Sequence, residues 1–338
     1  MSTATVSRVI NNFSYVSPEN RERVLEAVRR HNYYPSAHAR GLASGRSNLI
    51  GLVISDIANP FFPELVKGIE AAAYEQGYEV ILADTNYDPR RLSNYVRRFI
   101  ERGVQGVALM VSEFNSALLD ELARCEVSVV FLDLGKPGPH LSNLTVNYQD
   151  GIEQAVAHLV QLGHTRIAYV GGPTELRSAR RREQAFIRSY RKFLGKEHEP
   201  SSRYEGDFRI EGGRKAGAAL IADPRRYTAV MVANDMMALG VVRAARAAKI
   251  SIPEELSIVG FDDIALAALA EPPLTTVSIP REVLGRKALD ALLATINHPE
   301  RQGVEMAIPT SLVIRESTGP ASSSAAARRP SLPRRRGA

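Results

Sequence analysis

From Asn48 onward, short apolar runs alternate with stretches whose apolar residues recur every three or four positions. Leu49 to Ile54 is a continuous apolar run between Asn48 and Ser55, the pattern of a parallel strand covered on both faces. A helix is expected from Phe62 to Gln76, a strand at Glu79 to Ala83, a helix at Arg90 to Arg102, and a strand at Gly106 to Met110. A helix at Asn115 to Arg124 and a strand at Ser128 to Leu132 continue the series, and Val146 leads through Asp150-Gly151 into a helix at Ile152 to Leu162. Such spacing predicts βα units wound into a doubly wound parallel sheet. A second series begins with a strand at Arg166 to Val170 and helices at Arg180 to Phe193 and Glu211 to Ala222. It ends with a strand at Ala229 to Val232, a helix at Met236 to Ala248 and a strand at Leu256 to Phe261. Two series in tandem predict two lobes, with a ligand expected at the strand carboxyl ends.

The stretch before Asn48 is organised differently. In a helix starting near Thr3, Val6, Val9 and Ile10 share one face, and Thr3, Ala4, Ser7 and Arg8 share the other. A face this short-armed suits a DNA major groove: Arg addresses guanine, Ser and Thr reach phosphates or base edges, and Ala meets a thymine methyl. An ordinary amphipathic helix with a solvated face fits the same pattern. Ser17-Pro18-Glu19 reads as N-cap, first-turn Pro and first-turn acid. The helix it opens turns Val24, Leu25 and Val28 inward and ends in Arg29-Arg30-His31, cationic where the helix dipole favours it. Ser36 to Ser44 is a candidate short helix, too brief at about nine residues to hold alone, and its Gly41 and Ser44, with Gly45 and Ser47 beyond, equally fit a linker. After Gly319 only Ser, Ala, Pro, Arg, Gly and one Leu follow without periodicity, which predicts a disordered tail.

Composition narrows the function. The 338 residues, 44% hydrophobic, suffice for two cores and a small appendage. The net charge of +6 is concentrated at the ends: residues 1–50 hold seven Arg against three Glu, and 320–338 hold five Arg, leaving a mildly acidic middle. A basic head on such a body points to nucleic acid at one end. Cys125 is the only cysteine, so no intramolecular disulfide or CxxC metal site can form, and a reducing cytoplasm is expected. No signal peptide precedes the body and no run reaches the roughly 18 apolar residues of a membrane span.

The chain carries no GxSxG, GxxxxGK[ST] or HExxH motif and its seven histidines are scattered, so neither an enzyme nor a cofactor is expected. Gly171-Gly172-Pro173 fits an anion cradle or a tight βα turn, and Asp262-Asp263 a metal site only if adjacent carboxylates converge. Asp150, Arg182, Asn234 and Asp262 flank predicted strand ends or helix starts, with Phe61 and Phe62 after Asn59-Pro60 and Phe208 as a stacking ring. Carboxylates that accept, an Arg fork that donates, an amide that does both and an aromatic face suit sugar hydroxyls. Asn234 and Asp150 could instead cap helices, and Phe61 could be core.

The runs TVSRVINN, VSPENRERVLEAVRRHNYYP and ARGLASGRSNLIGLV resemble the lactose-repressor (LacI/GalR) family of bacterial transcription regulators, and the likeness continues along almost the whole chain. It implies a two-lobed, periplasmic-binding-protein-like clamshell behind a partial helix-turn-helix head. The head is expected at 1–35, a hinge helix or linker at 36–47, an effector-binding and dimerisation domain at 48–318, and a basic tail at 319–338. The first lobe takes 48–163 and 279–308, and the second 164–278 and 309–318, with crossings near Gly163, Val277 and Pro309. A first helix of the type xxDVAxxAGVS is expected before Ser2. The resemblance implies a homodimer on a near-palindromic DNA operator, Thr3, Ala4 and Arg8 nearest the bases and Ser2, Ser7, Asn11 and Ser17 on phosphates. In the hinge, Ala39 lies beside Leu42, the wedge for the minor groove. The family's effector contacts fall on Phe61 and Phe62 of PFF, Asp150 of DG, Arg182 of SARRREQAF, Phe208 of EGDF, Asn234 of VANDMMALG and Asp262 of GFDD. A cytoplasmic repressor answering a sugar-like effector is expected, the alternative being a transport sugar-binding protein with the same clamshell and no DNA binding.

Overall fold

The computed structural model describes residues 1–10, 15–33, 47–113, 118, 121–122, 124, 127–133 and 135–322. Asn11, Ala39, Leu42, the expected hinge helix Ser36 to Ser44, and Cys125 lie outside these residues. Helices α1 (Thr3–Ile10) and α2 (Pro18–Arg30) pack on one another, with Val9 and Val24 buried. Pro18 opens α2 and Arg29 and Arg30 fill its last turn; Ser17 holds the N-cap position, although its hydroxyl makes no capping bond.

The body then runs β1 (Leu49–Ile54), α3 (Phe61–Glu75), β2 (Glu79–Asp84), α4 (Pro89–Glu101), β3 (Gly106–Met110), β4 (Ser128–Leu132), β5 (Leu141–Val146), α5 (Tyr148–Gln161) and β6 (Ile167–Gly171). It continues with α6 (Arg177–Leu194), β7 (Arg203–Glu205), α7 (Ile210–Ala222), β8 (Ala229–Val232), α8 (Asp235–Ala247), β9 (Ser257–Asp262) and α9 (Ala265–Leu269). The last elements are β10 (Thr275–Ser278), α10 (Arg281–Asn297), β11 (Glu305–Ile308) and β12 (Ser311–Val313). Of the expected helix Asn115 to Arg124, positions 118, 121, 122 and 124 are helical and the others lie outside the described residues.

Two six-stranded sheets result, ordered β11-β5-β4-β3-β1-β2 and β12-β10-β9-β8-β6-β7. Every pairing is parallel except β10 with β12. The apolar runs at β1, β3 and β8 are buried almost throughout, because helices cover both faces. In the first lobe α4 comes close to the sheet where Gly51 leaves room for the Phe99 ring.

Two sequence boundaries are corrected. Helix α5 starts at Tyr148 rather than Ile152, because Gly151 is not a stop but a contact, lodged against Val277 and Thr310. This helix packs on α6, β10 and β12, so the first crossing between lobes falls at Asn147 and not near Gly163. Periodicity shows that Ile152, Ala155, Val156 and Leu159 share a buried face; it does not show which sheet that face meets. The chain returns to the first lobe after Ser278, where α10 packs on α3 and β4, and crosses again between Ile308 and Ser311. The second correction is at the tail. Residues 319–322 are docked: the Gly319 N–H donates to Ser257 Oγ at 3.0 Å, its oxygen lies 2.9 Å from His164 Nε2, and the Ala321 N–H donates to the Leu162 oxygen at 2.8 Å. Residues 323–338 lie outside the described set.

Helices α7 and α8 meet at Gly213 and Gly240, where each backbone occupies the space a side chain would need. An added Cβ at Gly240 collides with the Ile210 oxygen and lies 2.5 Å from Arg214 N. Gly240→Ala is therefore expected to destabilise the second lobe by about 3 kcal/mol, at the upper end of overpacking costs, read as a lower urea midpoint at unchanged slope.

Candidate functional site

The carboxyl ends of both sheets face a cleft between the lobes, and six of the seven residues named for it from the sequence line it: Phe61, Phe62, Arg182, Phe208, Asn234 and Asp262. Arg182 rises from α6 and is buried. Its Nη2 lies 3.0 Å from Asp262 Oδ1, its Nη1 donates to the Ala233 oxygen at 2.5 Å, and its guanidinium carbon sits 4.2 Å from the centre of the Phe261 ring. The rings of Tyr148 and Phe208 stand 5.5 and 5.6 Å away. Arg182 Nε is buried without a hydrogen-bond partner among the described residues, and Asp262 Oδ1 has only the ion pair. A buried polar group left so costs about 1–3 kcal/mol. The cleft thus presents one unmet donor and an ion-paired carboxylate between aromatic walls.

Asp262 is held in place by its own backbone. It has φ +112° and Asp263 φ +57°, conformations that need support. Arg281, at the start of α10, supplies it: its fork donates to the Asp262 oxygen and, at 2.6 Å, to the Asp263 oxygen, while its Nε donates to Glu64 Oε2 of α3 at 2.7 Å. Arg315 takes the Asp263 carboxylate at 2.6 Å. The two adjacent carboxylates thus go to different arginines. Burial pushes the Asp262 carboxyl up, while the charges of Arg182 and Arg281 oppose it.

Behind them Asp235 is fully buried. It accepts from Thr276 Oγ1 at 2.6 Å and from the Ile264 N–H at 2.9 Å, joining β10 to the turn after Asp262. Burial, and then the nearby Asp262 charge, push its carboxyl up to about 8.

Asn234 lines the cleft, but its polar atoms serve the protein: Oδ1 caps α8 by accepting from the Met237 N–H at 3.0 Å, and Nδ2 donates to the Phe208 oxygen at 3.0 Å. Phe208 has φ +63° and lays its ring over Gly172, where a Cβ would come within 2.5 Å of it. The glycine pair is thus the seat of a ring. Phe61 and Phe62 meet edge-to-face at 5.2 Å, in the first turn of α3, and belong to the core as well as to the cleft wall.

Asp150 does not reach the cleft. Because α5 begins at Tyr148, Asp150 lies exposed in its first turn, where Oδ2 accepts from Asn147 Nδ2 at 2.6 Å. Tyr148 enters instead and donates to Asp133 Oδ2 at 2.7 Å. Sequence reasoning also missed the contacts between lobes. Asp133, at the end of β4, pairs with Arg181 of α6; Ser112 Oγ lies 2.9 Å from Ser178 Oγ; Arg209 donates to Asn86 Oδ1 at 2.7 Å. Their only sequence signal is position after a strand or at a helix start, which many residues share.

In the head, Thr3, Ala4, Ser7 and Arg8 are exposed on one side of α1, opposite the buried Val9, and Ser2 is exposed just before the helix. Ser2 Oγ also accepts from the Thr5 N–H at 3.2 Å, capping the helix. Ser17 is exposed at the start of α2.

Residues 1–36 match the lacI family of bacterial regulatory proteins, and residues 156–318 the periplasmic binding protein-like domain. The HTH-type transcriptional repressor PurR of Aliivibrio salmonicida is 34% identical over 90% of this chain and 92% of its own length. The ribose operon repressor of Escherichia coli is 34% identical over 94% and 96%. Among solved structures, the Lac repressor dimer bound to operator and the anti-inducer ONPF superposes with a TM-score of 0.82 at 30% identity, covering 94% of this chain and 96% of that one. A LacI family regulator from Enterococcus faecium with bound ribose gives 0.72 at 30% identity, over 80% and 99%. The fold and site define a clamshell binding body carrying a helical head. The chain belongs to the lacI family of bacterial regulatory proteins.

The Asp235 carboxyl has a pH consequence. Between the ordinary carboxylate range and about 8 the folded protein keeps a proton that the unfolded chain has lost, so this group's contribution to stability falls as pH rises through that window. Asp235→Asn removes the dependence. Urea unfolding at pH 5 and pH 8.5 is expected to show wild type losing stability relative to the variant; parallel pH profiles would reject the assignment.

Proposed function

We propose that this protein is a DNA-binding transcriptional repressor, acting as a homodimer in the cytoplasm, whose operator affinity is set by a sugar-like effector held between its lobes. The observation that carries the effector class is the buried Arg182–Asp262 pair among aromatic rings, its Nε unmet and its Oδ1 held only by the ion pair. A hydroxyl donates to the carboxylate, another oxygen accepts from the guanidinium, and the C–H face of a sugar ring packs on Phe208 or Phe61. Relatives with bound ribose and bound cellobiose support this chemistry.

Two α1 helices, one per protomer, read two half-sites, Thr3 and Ala4 on base edges with Arg8 beside them, and Ser2, Ser7, Asn11 and Ser17 on phosphates. The hinge role is assigned to residues 36–47 and DNA contact there to Ala39 and Leu42, which lie outside the described residues. Effector binding changes the angle between lobes and with it the spacing of the paired hinges, a coupling of about 1–3 kcal/mol.

A thermal-shift screen over sugars, sugar phosphates and nucleobases, followed by calorimetry and gel shifts, tests the assignment. Asp262→Ala is expected to weaken the best ligand by about 100-fold or more, the cost of breaking a buried pair, while operator affinity without ligand stays at the wild-type value. An unchanged ligand response moves the site elsewhere. Arg8→Ala is expected to lose about 1–3 kcal/mol of operator discrimination with ligand affinity intact; equal losses on operator and random DNA would remove Arg8 from base reading.

A further inference from the structure

Ser47, where the described chain enters the body, is pinned to the end of α4: its hydroxyl donates to the Gly103 carbonyl oxygen. The placement follows from parallel α/β construction, in which each helix runs back against its strand and ends at the edge where the next strand starts. The Gln105 N–H, just past that helix end, donates to the Leu49 oxygen at 2.9 Å. The edge of the first sheet where β1 and β3 begin is therefore the edge from which the chain leads to the DNA-binding head. Arg98 in the last turn of α4 and Arg102 at its C-cap lie exposed at this edge. The neighbouring Arg97 is committed to Glu121 at 2.8 Å, whereas neither Arg98 nor Arg102 is in an ion pair among the described residues. Glu79 and Glu101 share the edge, so attraction here acts at contact and not as a long-range field.

We infer that Arg98 and Arg102 form a second DNA-contacting surface, on the effector-binding body, that holds backbone phosphates beside the site read by the head. The inference rests on the proposed DNA-binding function and extends it to a lobe with no helix-turn-helix. It couples lobe position to DNA directly: an effector that tilts the first lobe changes these phosphate contacts as well as the hinge.

Arg91 lies on the same stripe of α4 but eleven residues earlier than Arg102, about 16 Å along the axis, beyond a Debye length of about 8 Å. It is the control. Full-length wild type, the Arg98→Gln/Arg102→Gln double variant and Arg91→Gln are compared by fluorescence anisotropy between about 50 and 200 mM salt. The probes are a duplex selected by wild type from a random pool and a duplex of random sequence. The double variant is expected to bind both about tenfold more weakly, with the slope of log affinity against log salt shallower by about 0.9 per lost phosphate contact, while Arg91→Gln matches wild type. Unchanged slope in the double variant, a lowered melting temperature without slope change, or equal losses in Arg91→Gln overturns the inference. If wild type binds neither duplex, the proposed function falls and this surface with it; if wild type binds and the double variant matches it, only the surface falls.

Discussion

Placing a guanidinium and a carboxylate together in a low-dielectric cleft strips both of water, and their attraction compensates only if the surroundings complete the geometry. Around Arg182 and Asp262 the fold does so from several directions. The Ala233 carbonyl accepts one side of the Arg182 fork, the Phe261 ring lies against its plane, and Asp262 is set by a positive-φ turn that Arg281 grips through two carbonyl oxygens. Asp235, whose carboxyl burial pushes up, ties the same turn to β10. Arg182 Nε is left unmet and Asp262 Oδ1 has only the ion pair, and these are the atoms the proposed effector would use.

The same helix carries both the cleft arginine and the clasp. Arg181 and Arg182 are neighbours on α6, one paired with Asp133 across the cleft and the other with Asp262 within its own lobe. The cleft arginine and the residue that fastens the lobes thus share one turn of one helix. Arg281 repeats the arrangement from the other lobe, reaching from α10 to the Asp262 turn while bound to Glu64 of α3, the helix that also presents Phe61 and Phe62. Two arginines working in opposite directions make the lobe angle a property of the site and not of a loose hinge. Interfaces of this kind switch between discrete arrangements, because packed cores deform poorly.

The far end of the second lobe is held as well. Thr275 of β10 and Thr318 lie 3.0 Å apart, and Thr318 is 3.0 Å from His158 of α5; His164 lies within hydrogen-bonding distance of both Thr228 and the Gly319 oxygen. Burial lowers the pKa of both histidines, which keeps them neutral in this role. Residues 317–321 therefore brace the second lobe at the end of its sheet away from the cleft, where β8, β9 and β10 begin.

Much of this was legible in one dimension. The continuous apolar runs at β1, β3, β4 and β8 announced parallel strands, because a strand covered on both faces has no reason to alternate, and the helical periodicity between them set the βα order. Arg182, Asp262, Phe208, Phe61, Phe62 and Asn234 were placed by their motifs, and they converge. The sequence failed where meaning depends on what a face meets. Asp150 reads as the residue before a helix at Ile152, but a helix that starts at Tyr148 turns it outward and brings Tyr148 in. Asp133 and Arg181, far apart along the chain, had no common signal; only the stacking of two lobes makes them partners. Local order along the chain was decided by periodicity and caps, which act over one or two turns. The assignment of α5 to the second lobe, the unmet atom of the buried pair and the clasp across the cleft were decided by tertiary structure alone, because burial and partnership are properties of surfaces that meet only after the chain has folded.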